Sequence, residues 1–297
     1  MVDDALQLLA KMIDKGIAPS IVTYNSVVQG LCNFGRWKEA KDLISEMVDH
    51  KISLDVVTFN ILLDVFCKEG MVKEAEDIVE IMMLRNISPD IVTYTTLIDG
   101  YSLVGRIDKA RKLLDSMPGR GLKPSIISYN SLINGYCKKG KTAEAFSFLD
   151  IMKHKGVDPD ITTYSILIHG LCNEGKLEIA RNLFNSLPSK GLQPNIYIYT
   201  TIIGSLCQEG LVEEAKCLLK EMEKNVCAPD SVTYNVCIQG LLKRKLFVVA
   251  KTFLDEMHRR GFSPDSTTVS MLLDQPQGEG FRYYLSESFA ALDTFGF

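Results

Sequence analysis

The sequence predicts an all-α solenoid built from stacked helix-turn-helix units. Three observations carry that prediction. A 35-residue period runs without a break through most of the 297 residues. Each period holds two apolar stripes at helical spacing. Glycine and proline fall at fixed places between the stripes. With Ile21 as position 1, seven units follow without insertion or deletion: 21–55, 56–90, 91–125, 126–160, 161–195, 196–230 and 231–265. Residues 1–20 fit as the second helix of an earlier unit, with Ala5 and Met12 in register. Residues 266–275 begin an eighth unit, and 276–297 form a divergent tail.

The first helix of each unit spans roughly positions 2–13, with apolar residues at 4, 7, 8 and 11. Position 4 is Tyr24, Phe59, Tyr94, Tyr129, Tyr164, Tyr199 and Tyr234. Glycine at position 15 (Gly35, Gly70, Gly105, Gly140, Gly175, Gly210) ends it, because a left-handed residue closes a helix at least cost when it has no Cβ. The second helix runs from about 16 to 28, with apolar residues at 17, 20, 23, 24 and 27. Position 20 is alanine throughout: Ala40, Ala75, Ala110, Ala145, Ala180, Ala215 and Ala250. Trp37 shares position 17 with Val72, Ile107 and Leu177, so it is expected in the core. Glycine near position 31 and proline at 34 then break the chain. One such hairpin cannot bury its apolar face alone, whereas stacked copies share a continuous core.

Composition excludes several classes. The chain is 46% hydrophobic and 24% charged, ordinary for a folded domain. No apolar run approaches the ~18 residues that read as a membrane span. The opening MVDDALQLLAKMIDKG carries early acids and reads as neither a secretory signal nor a transit peptide. Net charge is -4 and the pI is near 5.7, which argues against a nucleic-acid binder unless basic residues are gathered on one face.

Eight cysteines suggest zinc at first sight. Five of them, Cys32, Cys67, Cys137, Cys172 and Cys207, occupy position 12 of their units. Equivalent positions on stacked helices lie ~8–10 Å apart. That is too far for thiolates sharing one zinc or for a disulfide, so the ladder reads as small apolar packing. Reduced thiols fit an intracellular or organellar compartment. The four histidines (His50, His154, His169, His258) fall at unrelated positions, and neither a nucleophile–base grouping nor a phosphate loop is visible. No enzyme, metal or cofactor is expected.

Two columns hold only short hydrogen-bonding side chains. Position 5 is Asn25, Asn60, Thr95, Asn130, Ser165, Thr200 and Asn235. Position 35 is Asp55, Asp90, Ser125, Asp160, Asn195, Asp230 and Asp265. The second column has a plain reading as helix N-caps. The first is harder to dismiss, because Asn and Thr are mediocre helix formers inside a first turn. Positions 2, 5 and 9 share one face, turned away from the Tyr-Leu-Ile stripe. The expectation is a row of polar readers, one per unit.

PDIVTYTTLIDG, LCNEGKLEIA and the unbroken period resemble pentatricopeptide repeat proteins of the P class, most of all the restorer-of-fertility group. The resemblance covers residues 1–274. It implies a right-handed superhelix that binds single-stranded RNA, one base per repeat. It further implies that position 5 contacts the base edge and position 35 supports it. The residue at position 2 packs on base faces: Val22, Val57, Val92, Ile127, Thr162, Tyr197 and Val232. Under the family's code Asn/Asp pairs read U, Thr/Asp reads G, Ser/Asn reads A, and Thr95/Ser125 favours a purine. The implied core is 5′-UURUAGU-3′, N-terminal repeats toward the 5′ end. Lysine at position 13 approaches phosphate in this family, which points to Lys68, Lys138 and Lys243. Other copies there are Asn33, Leu103, Asn173 and Gln208, so the phosphate track is sparse.

The resemblance also implies a mitochondrial or, less often, plastid location and a role in processing, stabilising or translating a transcript. The expected partners are single-stranded RNA and other RNA-processing proteins, with no membrane, on a monomeric chain. Family members are longer, so the expectation is a fragment, a truncated product or a short relative. A protein-binding helical scaffold and a truncated product without a role stay open as alternatives. The tail carries Phe281, Tyr284, Leu285, Phe289 and Leu292 at helical spacing, which predicts a cap over the last repeat.

Overall fold

A computed structural model describes residues 2–225 and 227–274. The predicted cap from Phe281 onward lies outside the described residues. Among these, regular structure is entirely helical. The order is α1 (Val2–Asp14), α2 (Ile21–Asn33), α3 (Trp37–Asp49), α4 (Val56–Lys68), α5 (Val72–Leu84), α6 (Ile91–Leu103), α7 (Ile107–Ser116), α8 (Ile126–Lys138) and α9 (Thr142–His154). It continues with α10 (Ile161–Asn173), α11 (Leu177–Asn185), α12 (Ile196–Glu209), α13 (Val212–Lys224), α14 (Ser231–Lys243), α15 (Phe247–Arg259) and α16 (Ser266–Leu273). The described residues divide into two compact units, one ending at Asp158 and the other beginning at Pro159.

Within each unit the architecture is an α-solenoid. In the first, α2, α4, α6 and α8 pack side by side in sequence, each with its second helix against it. In the second, α10, α12, α14 and α16 pack side by side likewise, with α11, α13 and α15 against the first three. The repeat's own chemistry makes this arrangement. The aromatic at position 4 is buried in all seven copies, and the position-20 alanine lets the two helices of a hairpin approach closely. Every first helix begins at a capped residue. Asp55, Asp90, Ser125, Asp160, Asn195, Asp230 and Asp265 each accept the backbone N–H three residues on.

Two expectations need correction. In the third and fifth repeats the second helix stops at Ser116 and Asn185, and a single 3₁₀ turn follows at Pro118–Arg120 and Pro188–Lys190. Proline offers no N–H to continue the α ladder. Trp37 is also not core: it is 37% exposed, whereas Val72, Ile107 and Leu177 at the same position are buried.

The reason lies at position 10. There Gly100 faces Cys67 so closely that a Cβ would sit 2.5 Å from its Sγ, and a Cβ on Gly135 would sit 3.0 Å from Ile107 Cδ1. Position 10 of one repeat therefore nests between positions 12 and 17 of the repeat before it. The second repeat carries Val65 at position 10, opposite Cys32 and Trp37. A branched side chain cannot enter that space, α2 packs less closely on α4 than α4 does on α6, and an apolar cleft of about 590 Å³ opens. Trp37, Val65 and Phe66 line it.

Candidate functional site

Position 5 lies one turn into each first helix and, within each unit, beside the capping residue of the next. In the first repeat the Asn25 amide Nδ2 donates to Asp55 Oδ1 at 3.1 Å. The Thr58 hydroxyl lies 2.8 Å from Asn25 Oδ1 and 3.0 Å from Asp55 Oδ1. The second repeat repeats this geometry. Asn60 Nδ2 donates to Asp90 at 3.1 Å, and Thr93 Oγ1 lies 2.7 Å from Asn60 Oδ1. An amide has two N–H bonds and two lone pairs. Each of these asparagines thus keeps one N–H donor and at least one lone pair for a ligand, in an order fixed by the carboxylate.

Electrostatics agree with that order. Burial opposes ionisation of Asp55, but the Thr58 N–H, the Asn25 amide and the Thr58 hydroxyl together hold its carboxyl below the ordinary range. Asp90 is depressed in the same way by Thr93 and Asn60. A carboxylate that accepts two or three hydrogen bonds favours its charged form.

The hydroxyl repeats differ. Thr95 Oγ1 is 2.7 Å from Ser128 Oγ, which is 3.2 Å from Ser125 Oγ. Thr200 Oγ1 is 2.8 Å from Thr233 Oγ1, which donates to Asp230 at 2.9 Å. Ser165 turns inward and donates to the Ile161 carbonyl at 2.6 Å, while Asn195 caps Ile198. Asn235 departs from the other asparagines. Its Nδ2 donates to the Ser231 carbonyl at 2.8 Å, and its Oδ1 accepts from the Asp265 N–H and the Thr268 hydroxyl. Asn130 is buried in the first unit, and Asp160 accepts the Thr163 N–H in the second.

The pairs are recessed. Asn25, Asn130, Ser165 and Asn235 are buried, and Asn60, Thr95 and Thr200 are half-buried. Beside them the position-2 side chains stand out: Val22, Val57, Val92, Ile127, Tyr197 and Val232 range from 48% to 69% exposed, and Thr162 is exposed. A flat apolar group could slide between these side chains and reach the polar floor. Tyr197 differs from the aliphatics, since the His169 ring holds it edge-on at 5.8 Å.

The lysines of position 13 are all exposed. Lys68, however, is paired with Asp64 at 2.6 Å. Burial pushes the Asp99 carboxyl up, against the pull of the Ser131 hydroxyl and the Lys138 charge. These acids at position 9 escaped the sequence reading, as did the hydroxyl at position 3. The latter signal was present: position 3 is Thr23, Thr58, Thr93, Ser128, Thr163, Thr233 and Thr268, broken only by Ile198.

The repeat period has counterparts among known proteins. Residues 1–33, 19–68, 54–103, 124–173, 194–243 and 229–275 match the PPR repeat family. Residues 81–139 match the pentatricopeptide repeat domain, and 162–192 match the PPR repeat. No curated protein matches the chain. Among solved structures, the pentatricopeptide repeat protein PPR10 from maize is similar over 99% of this chain and 43% of its own, at 27% identity and a TM-score of 0.65. PPR10 in complex with an 18-nt psaJ RNA element is similar over 97% of this chain and 48% of its own, at 25% identity and a TM-score of 0.64. The chain thus spans less than half the length of these two structures. A 35-residue period, a helix pair in each period and matches running from residue 1 to 275 have one common explanation: the chain belongs to the pentatricopeptide repeat family.

Proposed function

We propose that this chain binds single-stranded RNA, one base per repeat, with position 5 contacting the base edge and position 35 orienting it. The observation that carries the reading is the hydrogen-bonded pair of Asn25 with Asp55 and of Asn60 with Asp90, recessed between exposed valines. The similarity to an RNA-bound pentatricopeptide repeat protein supports it. The preferred core is 5′-UURUAGU-3′. The pure 35-residue period fits a P-class, restorer-of-fertility-like chain acting on a mitochondrial transcript.

Phosphate contributes little. Three position-13 lysines contacting a single strand give a logarithmic salt slope of about -2 at most, and the Asp64 carboxylate already occupies Lys68. Affinity therefore rests on the bases. Equilibrium binding to the core sequence, a scrambled control and the same core in a duplex tests this. The core is expected to bind at least about tenfold more tightly than either control. Equal affinity for core and scrambled RNA overturns base reading, and equal affinity for the duplex overturns the binding mode.

A further inference from the structure

We infer that the hydroxyl at position 3 of the following repeat is a positioning residue for base selection, because it sets the direction of the hydrogen bond made by position 5. The inference rests on the RNA reading above and adds a residue to it.

The repeat with Thr200 shows the logic. Thr233 Oγ1 stands 2.9 Å from Asp230 Oδ1 and 2.8 Å from Thr200 Oγ1. A hydroxyl carries one proton, and a carboxylate only accepts. The Thr233 proton therefore goes to Asp230, and Thr200 must spend its own proton on Thr233. What Thr200 turns outward is oxygen lone pairs alone. An acceptor-only group matches guanine, whose Watson–Crick edge carries two adjacent donors, N1–H and N2–H. It matches adenine less well, because the single N6–H there adjoins the N1 acceptor.

The repeat with Thr95 lacks the carboxylate. Thr95, Ser128 and Ser125 form a chain of three hydroxyls. Nothing in such a chain fixes its direction, since each member can donate or accept. Thr95 can face a base as donor or acceptor, so guanine and adenine are served alike. The fifth repeat is the natural break. Its neighbour supplies Ile198 at position 3, which has no hydroxyl, and Ser165 donates to its own helix instead.

Position 3 thus carries the state of position 35 to position 5. Thr233 is fully buried and beyond reach of any base, so its effect must pass through Thr200.

The test uses the full chain and RNAs based on 5′-UURUAGU-3′, varied at the sixth base, with the second base varied as an internal control. The unaltered protein is expected to prefer G over A at the sixth base by about tenfold. Thr233→Val should reduce that ratio to about threefold or less while leaving the second-base preference intact, and Thr233→Ser should restore it. A Thr233→Val protein that keeps the full ratio overturns the inference but leaves base reading standing. Absence of any base preference in the unaltered protein overturns base reading itself, and is seen before any variant is made. A gain-of-function arm does not depend on the folding of Thr233→Val. Ser125→Asp should create G preference at the third base, and adding Ser128→Ala should abolish it. Retention of that preference in the double variant also overturns the inference.

Discussion

Lys51, Asn86 and Lys245 are the non-glycine residues with left-handed backbone among those described, at φ 59°, 57° and 59°. Each sits where other repeats place glycine: position 31 for Lys51 and Asn86, position 15 for Lys245. The fold dictates the turn, and the side chain tolerates it at a cost of about 1–2 kcal/mol for an L-residue. Asparagine bears this better than lysine, because its short side chain can bond locally. Lys245→Gly should therefore stabilise the second unit by about 1 kcal/mol, seen as a raised midpoint in urea unfolding. An unchanged or lowered midpoint would show that Lys245 is compensated by contacts elsewhere. At the same scale the two polar columns were legible in the sequence, but not their wiring. Asn25 and Asp55 were legible because polar residues persist there without any apolar replacement. Thr58 was not, since a threonine in the first turn of a helix looks like one more cap-side residue until its hydroxyl is placed 2.8 Å from Asn25 Oδ1.

Helix boundaries were legible because their causes are local. Caps at position 35 and left-handed glycine at position 15 mark the ends directly. The 3₁₀ endings at Pro118 and Pro188 follow from residues that were equally visible, and were missed by giving every repeat the same second helix. Packing between helices was harder to see. Glycine at position 10 is a contact with a different repeat, and its meaning appears only when Cys67 faces Gly100. Cys67 with Gly100, and Cys207 with Gly240, each form the two halves of one joint: a small residue at position 12 receives a helix that has no side chain at position 10. Gly100→Val should reproduce at α4–α6 the loosened joint that Val65 makes at α2–α4. Overpacking of this kind costs about 1–3 kcal/mol. Chemical denaturation should register that loss, and faster reaction of Cys67 with a thiol reagent should register the opened joint. A variant as stable as the parent, with Cys67 still protected, would mean that Gly100 is not the contact that holds α6 against α4.

At the scale of the whole molecule, the proposed RNA binding draws its affinity mainly from the bases. The net charge of -4 and the sparse lysines at position 13 both point that way. So does the occupied state of Lys68, whose partner Asp64 lies four residues back on the same helix and was legible in the sequence. The period made the family legible, because seven copies in register leave little freedom in the fold. The pull of Lys138 on Asp99 was not legible, because those two residues belong to different repeats.

The central claim is that the residue after the position-4 aromatic selects a base, and Asn60→Thr tests it most directly. Asp90 and Thr93 stay in place, so the substituted repeat acquires the Thr-Thr-Asp set that Thr200, Thr233 and Asp230 form in the second unit. Threonine is already accommodated at this position in Thr95 and Thr200, so the change is structurally mild. Base preference is read by competition among RNAs that differ only at the second base. The account predicts a shift from U to G there, by about five- to a hundredfold, with preference at the other bases unchanged. A variant that still prefers U, or that weakens every RNA alike, would contradict it.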